Sequence, residues 1–190
     1  MELELKFRVE PEDYDAIRVR FAQARTIAME TTYFDTPDGS LSRRRWTLRR
    51  RLENGVSLCT LKTPGEGIAR EEWQTEDEDI LHALDGLIAR GAPAELKALA
   101  QGGLEPVCGA RFTRLALDCR LPACRVELAL DRGVLTGGGR ELPFQELEAE
   151  WKEGSQEAAL ACGEALARQY GLKPEPASKI QRAMALARKG

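Results

Sequence analysis

The sequence predicts an α+β fold in which a closed or nearly closed, eight-stranded antiparallel β-barrel is flanked by helices. Three observations predict it. Eight segments have strand-like patterns, turn signals separate them, and helical periodicity is confined to one early segment, one insertion and the C-terminal end. Closing the sheet would remove its exposed edges. An open sheet covered by helices is the alternative that this pattern leaves open.

The first strand is expected at the N-terminus. Residues 2–9 strictly alternate charged and apolar side chains, which is the period of a strand with one polar face. Pro11 then begins a short amphipathic helix that carries Tyr14 and Ile17 and ends near Arg25. Strand-like segments follow at 27–35, 46–53, 56–62 and 67–75.

Turn signals connect these segments into an antiparallel meander. Residues 36–39 close one strand, and the pair Asn54 and Gly55 predicts a tight hairpin between two others. An apolar face over 77–101, broken at 91–93, predicts an inserted helical segment. Further strands are expected at 110–120, 124–135 and 140–151, and helices at 155–170 and 177–189 on either side of a C-cap at Gly171.

Length and composition favour a single domain over residues 1–190 and argue against several kinds of site. The net charge is only −3, so any preference for a charged partner depends on where the charges lie. Five cysteines without a Cys-x-x-Cys pair, and the single histidine His82, argue against a zinc site and a disulfide framework. There is no signal-peptide pattern and no apolar run of membrane-spanning length, so a cytoplasmic protein without membrane partners is expected.

Charged residues recur at every second position of the predicted strands, so each set lies on one strand face. One such row is typical of a solvated sheet face, but rows of both signs on several strands favour a charged interior. Carboxylates bind hard cations such as Mg²⁺ or Mn²⁺, and guanidinium and ammonium groups bind phosphate oxygens. A metal with a polyphosphate would satisfy both kinds of row. The rows are Glu2, Glu4, Lys6 and Arg8; Thr47, Arg49 and Arg51; Thr60 and Lys62; Arg70 and Glu72; Glu127 and Asp131; and Glu146, Glu148 and Glu150.

These residues resemble the signature of the CYTH superfamily, the triphosphate tunnel metalloenzymes. Glu2-x-Glu4-x-Lys6 looks like the defining N-terminal element, and the resemblance covers nearly the whole chain in order and spacing. The likeness is closest to bacterial inorganic triphosphatases, through this pentad, residues 128–133 and the tail from Gly171 to Lys179. Other segments similar to the family are 33–38, 48–51, 60–62, 70–72, 112–114, 126–131, 146–150 and 178–179.

The chain departs from the family pattern in two places. Many relatives have a lysine where this chain has Phe112, and Arg111 would face away from Arg114 by strict alternation, so only Arg114 is carried over. Some relatives also continue into a helical, histidine-rich domain, whereas this sequence stops at Gly190 as either a stand-alone or a truncated form.

The resemblance implies metal-dependent hydrolysis of inorganic triphosphate to pyrophosphate and phosphate inside a charged β-barrel tunnel. The expected Mg²⁺ or Mn²⁺ ligands are Glu2, Glu4, Glu127, Asp131, Glu148 and Glu150, with Glu72 and Glu146 as supporting carboxylates. The expected triphosphate contacts are Lys6, Arg8, Arg49, Arg51, Lys62, Arg70, Arg114 and Lys179. The expected catalytic set is Glu2, Glu4, Lys6, Glu148 and Glu150.

Three alternatives stay open. The same site would serve a thiamine or nucleoside triphosphatase or a class IV adenylate cyclase, and a non-catalytic polyphosphate-binding module would keep the site without the chemistry. The basic runs 42–46 and 49–51 are also compatible with nucleic-acid binding, but the chain is net acidic and adjacent strand residues lie on opposite faces. Trp46, Trp73 and Trp151 could stack on an organic base, although a core or rim position is commoner for tryptophan.

Overall fold

Strands dominate the computed structural model, which describes residues 3–65 and 70–188. The strands are β1 Glu4–Arg8, β2 Arg25–Asp35, β3 Thr47–Glu53, β4 Val56–Pro64, β5 Arg70–Glu76, β6 Glu105–Arg120, β7 Cys124–Gly137, β8 Arg140–Gly154 and β9 Lys173–Pro174. The helices are α1 Pro11–Arg18, α2 Ser40–Arg43, α3 Ala83–Ala89, α4 Glu95–Leu99, α5 Gln156–Tyr170 and α6 Lys179–Ala187.

The strands form one antiparallel sheet in the order β5-β4-β3-β2-β6-β7-β8-β1-β9. All eight predicted strands are present, and the ninth is the two-residue β9, which pairs with Phe7 and Arg8 of β1. Pro174 lacks a backbone N–H, and proline is typical of an edge strand. Among the described residues, no strand pairing joins the edges β5 and β9. Hydrogen bonds between these edges thus do not close the sheet, and the predicted closed barrel is not confirmed.

Helices cover parts of the sheet and so separate apolar from polar faces. Helix α5 packs on β8 and β7, where Val126 and Leu147 are fully buried, and α3 and α4 cover Leu48 and Leu61 of β3 and β4. Helix α6 packs over a third apolar cluster from β2, β6, β7 and β8. Because Phe144 in this cluster shares its strand face with Glu146, Glu148 and Glu150, α6 lies on the polar, concave side of the sheet.

Local capping explains where several elements begin. Helix α6 starts at Lys179 rather than at 177, because Ser178 and Gln181 form a reciprocal capping box. The short helix α2 was not predicted; the buried Asp35 carboxylate holds it by accepting the Leu41 N–H at 3.0 Å. The predicted helical segment 77–101 contains α3 and α4, with a turn before and between them. No helix within the described ranges is both long and apolar enough to cross a membrane.

Candidate functional site

A charged cavity of about 590 Å³ lies on the concave side of the sheet. Strands β1 to β8 all contribute to its wall, and residues 176 and 178–181 border it at the start of α6. The curved sheet thus brings the two ends of the strand order around one space. Its described lining includes nine cations, Lys6, Arg25, Arg49, Arg51, Lys62, Arg70, Arg114, Lys152 and Lys179, and six carboxylates, Glu4, Glu53, Glu72, Glu127, Glu148 and Glu150.

One wall of the cavity carries a row of carboxylates across three neighbouring strands. Glu150 of β8 lies opposite Glu4 of β1 on one side and opposite Glu127 of β7 on the other. Like charges in directly opposed positions repel, so this acidic row requires cations. Lys152 supplies one, with its Nζ 2.8 Å from Glu150 and 3.6 Å from Glu127. Arg25 reaches Glu127 at 3.4 Å from the exposed rim.

The opposite wall carries crowded guanidinium groups from β3. The Nε of Arg49 is buried and has no hydrogen-bond partner among the described residues. The Nη2 of Arg49 lies 3.9 Å from the Glu72 carboxylate. Arg51 donates from Nε to Thr31 at 3.2 Å. Burial and the neighbouring Arg49 charge lower the pKa of Arg51 to about 10. An anion placed between these groups would satisfy the free donor and relieve the repulsion.

A third group of charges lies deeper, beneath α6. Carboxylate oxygens of Asp131, Glu146 and Glu148 lie within 4.8 Å of one another, a spacing that suits a metal ion. The Lys179 ammonium already occupies their centre, 2.9 Å from Asp131 and 2.7 Å from Glu148, with a close contact to Glu146 as well. Arg114 donates two hydrogen bonds of 2.8 Å to Asp131. A metal at this position would have to displace a fully engaged lysine.

The pKa shifts in this buried layer also indicate that its carboxylates are paired with cations. Burial by itself would raise the pKa of Glu148, but the Lys179 and Arg114 charges outweigh it and hold that pKa well below its usual range. Burial would likewise lower the pKa of Lys179, yet the carboxylates around it raise that pKa above the ordinary value. Arg182 contacts Glu146 and supplies a third cation for three acids. Burial nevertheless raises the pKa of Glu146 in spite of the Lys179 and Arg182 charges. The layer is therefore neutralised by its own cations and by the tendency of Glu146 to keep its proton.

The sequence matches the CYTH domain over residues 1–184. The chain belongs to the CYTH family. Inorganic triphosphatase from Haemophilus influenzae is 27% identical to it over 201 aligned positions, covering 99% of this chain and 55% of that protein. The chain thus spans about half the length of this curated relative.

Solved structures agree with the CYTH fold. A Hippeastrum protein, a proposed adenylyl cyclase with a dominant triphosphatase activity, superposes with a TM-score of 0.72 at 20% identity, covering 100% of this chain and 96% of its own. A proposed adenylate cyclase from Bacillus halodurans gives 0.69 at 21% identity and 96% coverage of both chains. A Pyrococcus horikoshii protein gives 0.67 at 22% identity and full coverage of both. At these identities the likeness shows the fold.

Most residues of the CYTH signature lie together in the cavity. Arg8 does not line it: its side chain is 61% exposed and its Nη2 lies 3.0 Å from Glu175. Asp131 lies behind Arg114 in the buried layer, and Glu2 is outside the described residues. Eleven predicted site residues line the cavity, together with Glu72, which was expected as a supporting carboxylate. The eleven are Glu4, Lys6, Arg49, Arg51, Lys62, Arg70, Arg114, Glu127, Glu148, Glu150 and Lys179.

Sequence reasoning missed three charged residues of this CYTH cavity: Glu53, Lys152 and Arg25. Glu53 continues the every-second-residue row of Thr47, Arg49 and Arg51, so alternation could have identified it. Lys152 continues the every-second-residue row from Glu148 and Glu150, so the same alternation could have identified it. Arg25 was placed at the end of a helix, whereas helix α1 ends at Arg18 and Arg25 is the first residue of β2. The signal for Arg25 was absent because the boundary between helix and strand was misplaced.

The other sequence candidates lie elsewhere in the CYTH fold. Trp46 and Trp73 pack on the core under α3 and α4, while Trp151 packs on the core beneath α5. In the exposed basic run, Arg43 pairs with Asp38 at 2.7 Å. These residues therefore do not line the charged cavity.

Proposed function

We propose that this CYTH chain is a metal-dependent triphosphatase that hydrolyses inorganic triphosphate to pyrophosphate and phosphate. The observation that carries the proposal is the separation of charge within one cavity. The cavity holds a row of carboxylates and a cluster of arginines. Within the described ranges the buried Arg49 Nε has no hydrogen-bond partner, and the pKa of Arg51 is lowered. The likeness to the Haemophilus influenzae inorganic triphosphatase and to the Hippeastrum protein with triphosphatase activity supports the same chemistry.

The basic side would bind the phosphates. Arg49 and Arg51 offer guanidinium groups, which match phosphate oxygens through paired N–H donors. Such fixed donors stabilise the charge that develops on the leaving pyrophosphate, and they need no reorganisation during the reaction. Arg8 would contribute only if it moved, because it now pairs with Glu175. The remaining proposed phosphate contacts are Lys6, Lys62 and Arg70. Lys179 and Arg114 also line the cavity, but each would reach a phosphate only by giving up a contact with the buried carboxylates.

The acidic side would hold the metal. Glu4, Glu127 and Glu150 fit Mg²⁺ or Mn²⁺ because carboxylate oxygens are the preferred ligands of these hard cations. When bound, such an ion neutralises phosphate charge and lowers the pKa of its water. Glu2 remains a proposed ligand outside the described residues. We leave Asp131 and Glu148 out of the proposed metal ligands, because cations occupy both carboxylate oxygens of each. Arg114 occupies those of Asp131, and Lys179 and Arg114 occupy those of Glu148.

Four members of the expected catalytic set remain in the proposal. Glu4, Lys6, Glu148 and Glu150 all line the cavity, so each can reach a bound triphosphate or its ion. Glu148 is held ionised by its two cationic neighbours, which fixes it as a hydrogen-bond acceptor rather than a proton donor. Together these side chains position and polarise the substrate without a covalent nucleophile.

Phosphate release from inorganic triphosphate, ATP and thiamine triphosphate, each with Mg²⁺, Mn²⁺ or EDTA, tests the proposal. We expect metal-dependent cleavage of inorganic triphosphate in preference to the other two. Preference for an organic triphosphate would assign a sister activity of the family. Tight binding of triphosphate without cleavage by any metal would instead assign a binding module.

A further inference from the structure

Lys152 contacts two carboxylates of the acidic row. It follows Glu150 by two residues on β8, beside a register shift in the pairing with β7, and it lines the same cavity. Its Nζ lies 2.8 Å from Glu150 and 3.6 Å from Glu127, and its side chain is 27% exposed. No phosphate-contact role was expected for it from the sequence.

We propose that Lys152 is a tethered counter-ion to Glu127 and Glu150 in the metal-free protein and is displaced when a divalent cation binds between them. The proposal rests on the metal role proposed above for Glu127 and Glu150. Under this proposal the two carboxylates always have a cation beside them, either Lys152 or the metal. The affinity of the protein for the metal then depends in part on competition with Lys152.

The geometry of the two carboxylates explains why a counter-ion is needed. Glu127 and Glu150 are directly opposite one another on neighbouring antiparallel strands. Side chains in such positions have Cβ atoms about 4.5–5.5 Å apart, and two like charges there destabilise the sheet. A single ammonium on a flexible four-carbon stem can lie between both carboxylates. Arg25 contributes less, because its head group is largely exposed and reaches only Glu127.

Comparison with Lys179 explains why Lys152 is the displaceable lysine. The Lys179 side chain is 8% exposed and contacts three carboxylates, so removing its ammonium would leave buried, unpaired charge. Lys152 contacts two partly exposed carboxylates and borders open space in the cavity. Its stem can swing its head group into water at little cost, and a doubly charged ion can take its place.

Titration of the full chain with Mn²⁺ in the absence of substrate tests the proposal. Calorimetry, or electron paramagnetic resonance of free Mn²⁺, gives the affinity directly. We expect Lys152→Met and Lys152→Gln to bind Mn²⁺ roughly three- to tenfold more tightly than the wild type, since each removes a competing, partly exposed ion pair. Lys152→Arg keeps the charge and should stay near the wild-type affinity.

Lys97→Met is the matched control, because Lys97 forms an exposed pair with Asp85 at 2.7 Å outside the cavity lining. Its Mn²⁺ affinity should equal that of the wild type. Melting curves give a second readout. In EDTA, Lys152→Met should melt below the wild type because the Glu127 and Glu150 charges repel, and added Mn²⁺ should raise its Tm by more than it raises that of the wild type.

Unchanged or weaker Mn²⁺ binding by both uncharged Lys152 variants would overturn the counter-ion proposal while leaving the metal assignment intact. Absence of Mn²⁺ binding to the wild type, or binding unaffected by Glu150→Gln, would overturn the metal assignment and with it this proposal. Phosphate release is measured separately, so a protein that binds Mn²⁺ competitively but cleaves no triphosphate would fail only the proposed function.

Discussion

Two clusters of carboxylates lie near one another on the same sheet. One is the acidic row of Glu4, Glu127 and Glu150, and the other is the buried layer of Asp131, Glu146 and Glu148. They differ in what neutralises them. In the buried layer, Lys179, Arg114 and Arg182 supply a cation for each acid, and two of the carboxylates are fully buried.

In the acidic row, Glu127 and Glu150 share one ammonium, that of Lys152, and the Glu150 side chain is 29% exposed. A cation for each acid in a dry environment makes a scaffold, because every charge depends on its partner there. A shared, partly exposed ammonium beside open space can give way to a ligand. The comparison thus assigns stability to one cluster and binding to the other, although the spacing of the buried carboxylates alone would suit a metal.

The largest expected effect comes from the buried layer. Lys179→Met removes the ammonium between Asp131, Glu146 and Glu148 and should lower the free energy of unfolding by about 3–5 kcal/mol. Urea unfolding measures this as a lower midpoint at an unchanged slope. Lys97→Met, at an exposed pair, should cost less than about 1 kcal/mol. A loss of similar size in both variants would remove the scaffold role from Lys179.

A substitution in the acidic row should affect activity rather than stability. Glu150→Gln should lower phosphate release about 10²-fold or more, because it removes a proposed metal ligand, while the unfolding free energy changes little. Glu153→Gln on the same strand is the control, since Glu153 is exposed and its carboxylate is 3.7 Å from Arg125. Full turnover in Glu150→Gln would remove the residue from the metal site.

A substitution in the arginine cluster of β3 tests the phosphate-binding side of the cavity. Arg49→Met should weaken the binding of triphosphate to the metal-free protein about tenfold, the size of a hydrogen bond to a charged group. Stability should not fall, because the Arg49 Nε makes no hydrogen bond within the described residues. Arg50→Met, on the opposite face of β3, should bind triphosphate as the wild type does. Loss of stability without loss of binding would mark Arg49 as structural.

The smallest effect on activity is expected at Arg8. Its guanidinium is largely exposed and pairs with Glu175 beside β9. Arg8→Met should change KM for triphosphate by less than about twofold, because Arg8 lies outside the cavity lining. It should still lower the free energy of unfolding by about 1–3 kcal/mol, because the Glu175 side chain that loses this partner is only 4% exposed. Steady-state kinetics with inorganic triphosphate measure the change in KM. A large rise in KM would mean that Arg8 turns into the cavity when substrate binds.

Alternation along the strands is what made so much of the site predictable from sequence. Because successive side chains face opposite ways, the row Glu146, Glu148 and Glu150 had to share one face, and Arg111 had to lie opposite Arg114. In the structure Arg111 is indeed exposed and pairs with Glu141 outside the cavity lining. The same alternation also predicted which segments of the sequence form strands.

Contacts between distant segments were not predictable in this way. Pairing of Lys179 with Asp131 depends on where α6 docks, and no local pattern specifies that contact. Closure of the sheet likewise depends on whether its edge strands meet, and the edges β5 and β9 do not pair in the described residues. Tertiary packing therefore decided which of the predicted carboxylates are already neutralised.

The most direct test of the division between scaffold and binding site is a crystal structure with Mn²⁺ and a slowly hydrolysed triphosphate analogue, using anomalous scattering to locate the metal. We expect a Mn²⁺ peak at Glu4, Glu127 and Glu150, with Lys179 still bound to Asp131 and Glu148. A Mn²⁺ peak among Asp131, Glu146 and Glu148, with Lys179 displaced, would contradict this expectation.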